Sequence, residues 1–185
     1  MSILVTPAHA HLSAYKDALD RGWSPDNENP QRTAQDHLRK ISEDADAFLA
    51  SLDDPNALAG PIRLPDGQEV PRLPGHVRWI WSQGFAGAIG FRWQPGTAVL
   101  PPYTHGHIGY SVVPWARNQG LAKRALHEML DLARSKSLPH VEVTCYPDNI
   151  ASQRVILACG GTLTERFTTL PAYGSREALR FRIAL

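Results

Sequence analysis

The sequence predicts a mixed α/β fold, a sheet of parallel and antiparallel strands with helices on its faces. Three observations predict it. Residues 1–60 carry apolar side chains at helical spacing, residues 76–185 alternate strand and helix patterns, and a proline- and glycine-rich stretch, residues 61–75, separates the two. The 185 residues suffice for a single domain, expected to span 1–185 as a helical N-terminal elaboration over 1–60 and a core over 76–185.

In the first region, His11 to Arg21 sets Leu12, Tyr15 and Leu19 on one stripe, and Gly22 ends the pattern. Trp23 to Asn27 reads as a turn around Pro25. Pro30 opens a second helix, because a fixed φ and a missing N–H suit the first turn. Ala34, Leu38, Ile41, Ala45, Phe48 and Leu49 extend its apolar stripe as far as Asp53. Between Gly60 and Gly75, Asp66-Gly67 predicts a hairpin turn joining two short edge strands.

The second region begins with a hairpin. Val77, Trp79 and Trp81 alternate, as do Phe85, Gly87, Ile89, Phe91 and Trp93, and Ser82-Gln83-Gly84 joins the two runs. A proline-rich loop, residues 94–104, leads to a strand over 107–113. A helix follows from Gly120 to Ser135, with Leu121, Ala125, Leu126, Met129, Leu130 and Ala133 facing a core. Val141 to Tyr146 is a strand, and Asp148 or Asn149 caps a helix that reaches Cys159 and closes at Gly160-Gly161. Leu163 to Thr168 and Glu177 to Leu185 are strands, the last alternating cleanly as an antiparallel strand does.

Composition excludes several function classes. The net charge of +1, without a block of like charge, lacks the footprint of a general nucleic-acid binder. The two cysteines, Cys145 and Cys159, form neither a CxxC nor a Cys/His cluster, so neither a disulfide framework nor a metal site is expected. Both read as buried structural cysteines. The start of the chain lacks a basic segment before a long apolar run, and no segment approaches transmembrane length; a cytoplasmic protein without membrane or nucleic-acid partners is the expectation.

The informative segment is Val112-Val113-Pro114-Trp115-Ala116-Arg117-Asn118-Gln119-Gly120-Leu121-Ala122. It runs from a strand through a short loop into a helix. The first turn of a helix offers unpaired N–H groups and the positive end of its dipole. Gly120 and Ala122 let backbone approach a bulky anion, and Arg117 adds charge, a combination suited to a pyrophosphate. About thirty residues on, Asp148-Asn149-Ile150-Ala151-Ser152 opens the next helix.

These segments resemble the signatures of the GNAT acetyltransferase superfamily: Arg117-Asn118-Gln119-Gly120-Leu121-Ala122 matches Arg/Gln-x-x-Gly-x-Gly/Ala, and Asn149 to Ser152 with Gly160-Gly161 matches Asn-x-x-Ser/Ala followed by Gly. Gly106-His107-Ile108-Gly109-Tyr110 resembles one of its subgroups, and the likeness spans residues 76–185. It implies a twisted, mostly antiparallel sheet of six to seven strands with helices on both faces, and acetyl-coenzyme A as co-substrate. It further implies that Val112 and Val113 pair by backbone with the pantetheine arm beside a β-bulge that splays this strand from 141–146. Arg117 and the amides from Asn118 through Gln119, Gly120 and Leu121 to Ala122 would hold the pyrophosphate, and Asn149 with Ser152 the pantetheine.

The resemblance departs at one point. Many members carry a tyrosine seven residues beyond that asparagine to protonate the leaving thiolate, and this chain has Ile156. Another donor or water must then serve: Tyr110 or Tyr146 could substitute, and each reads equally as a core or rim aromatic. Transfer to an amine also needs a base, because an ammonium has no lone pair. His107 stands where the family often places a Glu or His; His105 and Glu142 are the other candidates. The acceptor is expected between the N-terminal helices and the hairpin, near Trp23, Asp26, Trp79, Trp81 and Tyr173. The expected activity is direct acetyl transfer to a small-molecule amine. A protein N-terminal or lysine acetyltransferase, and a non-catalytic coenzyme A-binding module, are the alternatives, with homodimerisation left open.

Overall fold

The computed structural model describes residues 2–185. Ten strands and five helices follow the chain as β1 (Leu4–Val5), α1 (His9–Asp20), α2 (Pro30–Glu43), α3 (Ala45–Leu52), β2 (Asp53–Asp54), β3 (Ile62–Arg63), β4 (Glu69–Val70), β5 (Gly75–Trp81), β6 (Phe85–Arg92), β7 (Ile108–Val112), α4 (Leu121–Arg134), β8 (His140–Cys145), α5 (Ile150–Ala158), β9 (Thr162–Thr168) and β10 (Glu177–Ala184). Short 3-10 turns lie at Pro114–Ala116 and Pro171–Tyr173.

The main sheet runs β1-β5-β6-β7-β8-β10-β9, with β2 also paired to β5, which makes eight strands. Six are the expected long ones. The two additional strands, β1 and β2, are two-residue segments, too short for any periodicity to announce. All neighbours are antiparallel except β7 and β8. The Asp66-Gly67 hairpin forms, but β3 and β4 make a separate two-stranded sheet.

Helices cover both faces. Against one face, Leu126, Met129 and Leu130 of α4 and Ile156 of α5 pack with Ile89, Phe91, Ile108, Val141, Val143 and Phe181 of the strands. Burial of this apolar stripe is what makes α4 a stable helix. Against the other face, Tyr15 and Leu19 of α1, Ile41 of α2 and Phe48 of α3 enclose Trp23, Trp79, Phe85 and Val113. Tyr15 stacks on Trp79 with ring centroids 4.5 Å apart, and its hydroxyl meets His37 Nδ1 at 2.7 Å.

The apolar stripe predicted one helix from Pro30 toward Asp53, yet α2 and α3 are distinct. Asp44 takes extended backbone (φ −158°), closes α2 and caps α3 by accepting the Ala47 N–H at 2.9 Å. An aspartate competes with its own backbone in this way, and so favours caps over helix interiors.

Candidate active site

The site forms where β7 and β8 separate. Parallel neighbours should share a ladder, but these two are bridged at Ile108↔Val143 alone among the described residues. No register shift accompanies the separation: β7 follows β6 without a bulge from Phe91↔Ile108 to Gly87↔Val112. The expected bulge is therefore absent from β7. Instead β6 crowds β7 from the far side. Gly87 sits at φ +149°, and a Cβ there would lie 2.9 Å from Val112 Cα and closer still to the Ser111 carbonyl oxygen.

The antiparallel ladder decides which backbone groups reach the gap. Val113 N donates to Ala86 O at 3.0 Å, and Arg92 N donates to His107 O at 2.8 Å. Alternation then turns the N–H and C=O of Tyr110 and Val112 away from β6, into the gap. The Val112 carbonyl accepts Arg117 Nε at 3.2 Å. Val113, by contrast, is fully buried in the core under α1, with its N–H already paired, and so is not available to a pantetheine arm.

A cleft of about 560 Å³ passes through this gap. On the α4/α5 side it is lined by Tyr110, Val112, Arg117, Asn118, Gly120, Leu121, Ala122, Asn149 and Ser152, nine of the residues that the motifs single out. Gln119 does not line it. Asn118 (φ +61°) and Gly120 (φ +72°) are both left-handed, which curls the loop so that the first amides of α4 face outward. A Cβ on Gly120 would meet nothing within 4 Å, so the approach to those amides is open. Asn149 Oδ1 accepts the Ser152 N–H at 3.0 Å, so Asn149 caps α5 and lines the cleft together.

Lys123 and Arg154 also line this side. Their signal was legible: each lies in the first turns of a helix, where the dipole disfavours a cation unless an anion is also bound there.

Tyr110 sits at the middle of the passage. Its hydroxyl meets Ser152 Oγ at 2.8 Å, and burial pushes its pKa up to about 12, so it holds its proton. Cys145 is half-buried and lines the cleft, not a sealed core position, and burial raises its thiol pKa. Ile156 is fully buried, and Gly161 packs against it so tightly that a Cβ there would meet the Ile156 carbonyl oxygen at 2.9 Å.

Beyond the gap the cleft opens between the α1–α2 loop and β8, lined by Asn27, Glu28, His105, Gly109, Thr144, Tyr146 and Thr169. Tyr146 donates to Glu28 Oε1 at 2.6 Å, and the Arg176 guanidinium lies 3.6 Å over the Tyr146 ring. Burial together with Glu28 pushes the Tyr146 pKa up to about 12. His105 packs edge-on against Tyr173, its Nε2 has no hydrogen-bond partner, and burial, with Arg180 and Arg92 nearby, lowers its pKa.

Two of the residues expected to act as bases do not reach the cleft. His107 is fully buried, and its Nδ1 accepts the Glu142 N–H at 2.9 Å while its own N–H donates to Glu142 O at 2.7 Å. It fastens the start of β7 to β8, and burial drives its pKa down to about 4. Glu142 is buried too, held by Arg182 at 3.1 Å and Arg180 at 3.6 Å. Strand parity placed His107 on the face of Ser111 and left Glu142 facing either a site or solvent; it could not show the β8 N–H that holds His107 or the two β10 arginines that hold Glu142. Trp23 and Trp79 are core, Trp23 giving its Nε1–H to Ser111 Oγ at 2.9 Å. Asp26, Trp81 and Tyr173 also lie outside the lining.

Solved structures share this fold. The microcin C7 self-immunity acetyltransferase MccE, in complex with acetyl-CoA and AMP, matches with TM-score 0.59 and 11% identity over 98% of this chain and 91% of that one. The RimL ribosomal L7/L12 alpha-N-protein acetyltransferase, in complex with coenzyme A, matches with TM-score 0.63 and 16% identity over 98% and 93%. A Salmonella typhimurium acetyltransferase that modifies the N-terminal serine of 50S ribosomal subunit protein L7/L12 matches with TM-score 0.58 and 16% identity over 98% and 94%. At these identities the likeness is one of fold. Among curated proteins none matches. The model of the acetyltransferase (GNAT) domain matches residues 37–162, more than half of the sequence, and the chain belongs to that family.

Proposed function

We propose that the protein transfers the acetyl group of acetyl-CoA to a primary amine on a small molecule, with both substrates bound at once. Acetyl-CoA is the co-substrate. One observation carries the reading: a single cleft joins the open amides of the Gly120 loop to the Glu28 side through the parted strands β7 and β8. A thioester drawn through that gap meets an amine arriving from the far face. The outward N–H groups of α4, with Arg117 and Lys123, suit a pyrophosphate. The N–H and C=O groups of Tyr110 and Val112 suit the amides of a pantetheine arm and the oxygen of the reacting carbonyl.

In this reading the amine nitrogen bonds to the acetyl carbon as the carbon–sulfur bond breaks. The sulfur leaves with the bonding pair and takes the proton of the Tyr110 hydroxyl, a cleft-lining group that retains it at neutral pH. The nitrogen gives up its surplus proton to His105, directly or through water, and solvent exchange restores both residues. His105 suits that role better than His107, because it lines the cleft and His107 does not. Tyr110 supplies the hydroxyl that Ile156 does not, which favours an enzyme over a non-catalytic coenzyme A-binding module.

The test is a panel of primary amines with acetyl-CoA, read as thiol release. Transfer by the wild-type protein, slowed in His105→Gln and with its acid limb flattened, is the expected result. Tight coenzyme A binding without acetylation of any amine would instead identify a binding module.

A further inference from the structure

The acceptor side of the sheet has a bare patch. Gly90 and Gly109 face each other across β6 and β7, and neither carries a side chain. Gly109 is exposed and lines the cleft. Arg92, two residues beyond Gly90 and therefore on the same face of β6, lies over this patch. Its Nη2 is 3.7 Å from where a Cβ on Gly109 would stand.

The Arg92 guanidinium makes no hydrogen bond or ion pair with any described residue. The neighbouring arginines behave differently: Arg180 holds Glu165 and Glu142, Arg182 holds Glu142, and Arg78 holds Asp53. The carboxylate whose field reaches Arg92 is Asp26. Its oxygens are already committed to the Glu28 N–H at 2.7 Å, the Asn29 N–H at 3.3 Å and the Thr33 hydroxyl at 2.7 Å. They shape the entry to α2 and leave the guanidinium fork free.

A guanidinium offers a planar pair of N–H donors that matches a carboxylate in a two-point bond, and it stays charged at every relevant pH. That fork stands beside Gly109, which lines the acceptor space, and the carboxylate of Glu28 lines the same space. Such a field orients a molecule that bears an amine and an anion. Resting on the acetyl-transfer reading above, we propose that Arg92 binds a carboxylate of the acceptor, so that the enzyme acetylates amino acids or acid-bearing short peptides in preference to neutral amines. Gly90 and Gly109 supply the room in which that carboxylate lies.

The experiment measures thiol release from acetyl-CoA with ω-amino acids of increasing length, from glycine to 6-aminohexanoate, against amino alcohols of matched length. A second arm compares the tetrapeptide amide Ala-Asp-Ala-Ala with Ala-Asn-Ala-Ala, which separates a free amino acid from a peptide as the source of the carboxylate. We expect kcat/KM to favour the carboxylate by about 10- to 100-fold in at least one arm, mainly through KM. Arg92→Gln should remove that preference and Arg92→Lys should restore part of it, with melting temperature and coenzyme A affinity confirming an intact fold. Equal turnover of acids and alcohols by the wild-type protein overturns the proposal, whatever the variants do. A preference that survives in a folded Arg92→Gln protein overturns it as well. Failure of every amine despite coenzyme A binding overturns acetyl transfer itself, a different result from an indifferent acetyltransferase.

Discussion

Replacing Gly120 by glutamate puts the proposed anion site to its most direct test. Gly120 caps α4 at φ +72°, and nothing lies within 4 Å of its absent Cβ. A side chain there meets no steric wall, and its penalties can be separated. The left-handed backbone costs a non-glycine residue about 1–2 kcal/mol of folding stability. In a protein of this size that lowers Tm by roughly 2–8 °C. The carboxylate adds a second penalty, confined to binding. Facing two charges of a diphosphate at about 6 Å, with an effective dielectric of about 40, it costs about 3 kcal/mol, roughly a 100-fold loss of affinity. Gly120→Ala carries the backbone penalty alone. Calorimetric titration of coenzyme A should therefore rank wild type and alanine close together and glutamate far weaker, with the gap narrowing as salt rises. Both variants should melt at similar temperatures. Wild-type affinity in the glutamate variant would refute the assignment of the anion to this helix end.

Three further outcomes follow from the site. Gly87→Ala must displace backbone, because its Cβ would fall 2.9 Å from Val112 Cα at a φ of +149°; we expect a loss of about 2–5 kcal/mol in chemical denaturation, with weakened coenzyme A binding in any protein that still folds. Tyr110→Phe should lower kcat by about 10²-fold while leaving coenzyme A affinity near wild type, and an unchanged kcat would remove the hydroxyl from the reaction. His107→Phe should leave the Glu142 N–H unpaired and cost about 1–3 kcal/mol at pH 7. The same variant reports on acid stability. The folded pKa of His107 is lowered to about 4, so the unfolded chain takes up that proton first. Stability is present above about pH 6.5 and is lost as pH falls toward 4. His37, also lowered to about 4, acts in the same direction. Melting temperature against pH should thus fall less steeply in His107→Phe between pH 6.5 and 4, and a slope equal to wild type would show that His107 is not a source of the acid sensitivity.

Much of this was legible in the sequence, for identifiable reasons. The long strands and α4 announce themselves because each buries one face and so carries a clean period. The Gly120 loop was legible because a left-handed cap and a close anion approach both demand glycine. Asn149 was legible as a helix cap whatever else it does. What escaped notice depends on partners distant in the chain. Parity put His107 on the face of Ser111 and left Glu142 between a site and solvent, but their fate depends on a backbone N–H of β8 and on two arginines of β10. Val113 looked equivalent to Val112 until the ladder assigned its N–H to Ala86. Glu28 and Tyr146 lie 118 positions apart and form one hydrogen bond that no local pattern encodes. The two-residue strands β1 and β2 carry no period at all.

The parted strands have a mechanical consequence. Across that seam the described residues contribute the Ile108↔Val143 bridge, the backbone bond from His107 N–H to Glu142 O and the bond from Glu142 N–H to the His107 ring. The sheet therefore behaves as two stiff plates, one of β1, β2 and β5 to β7, the other of β8 to β10, riveted at one end and gaping at the other. Small rotations about the rivet widen the gape while sparing each plate's internal ladder. A thiol-bearing chain of variable girth can be admitted and discharged by such flexing, and amide exchange should register a loosened rivet at His107, whose N–H is bonded across the seam, before either plate opens.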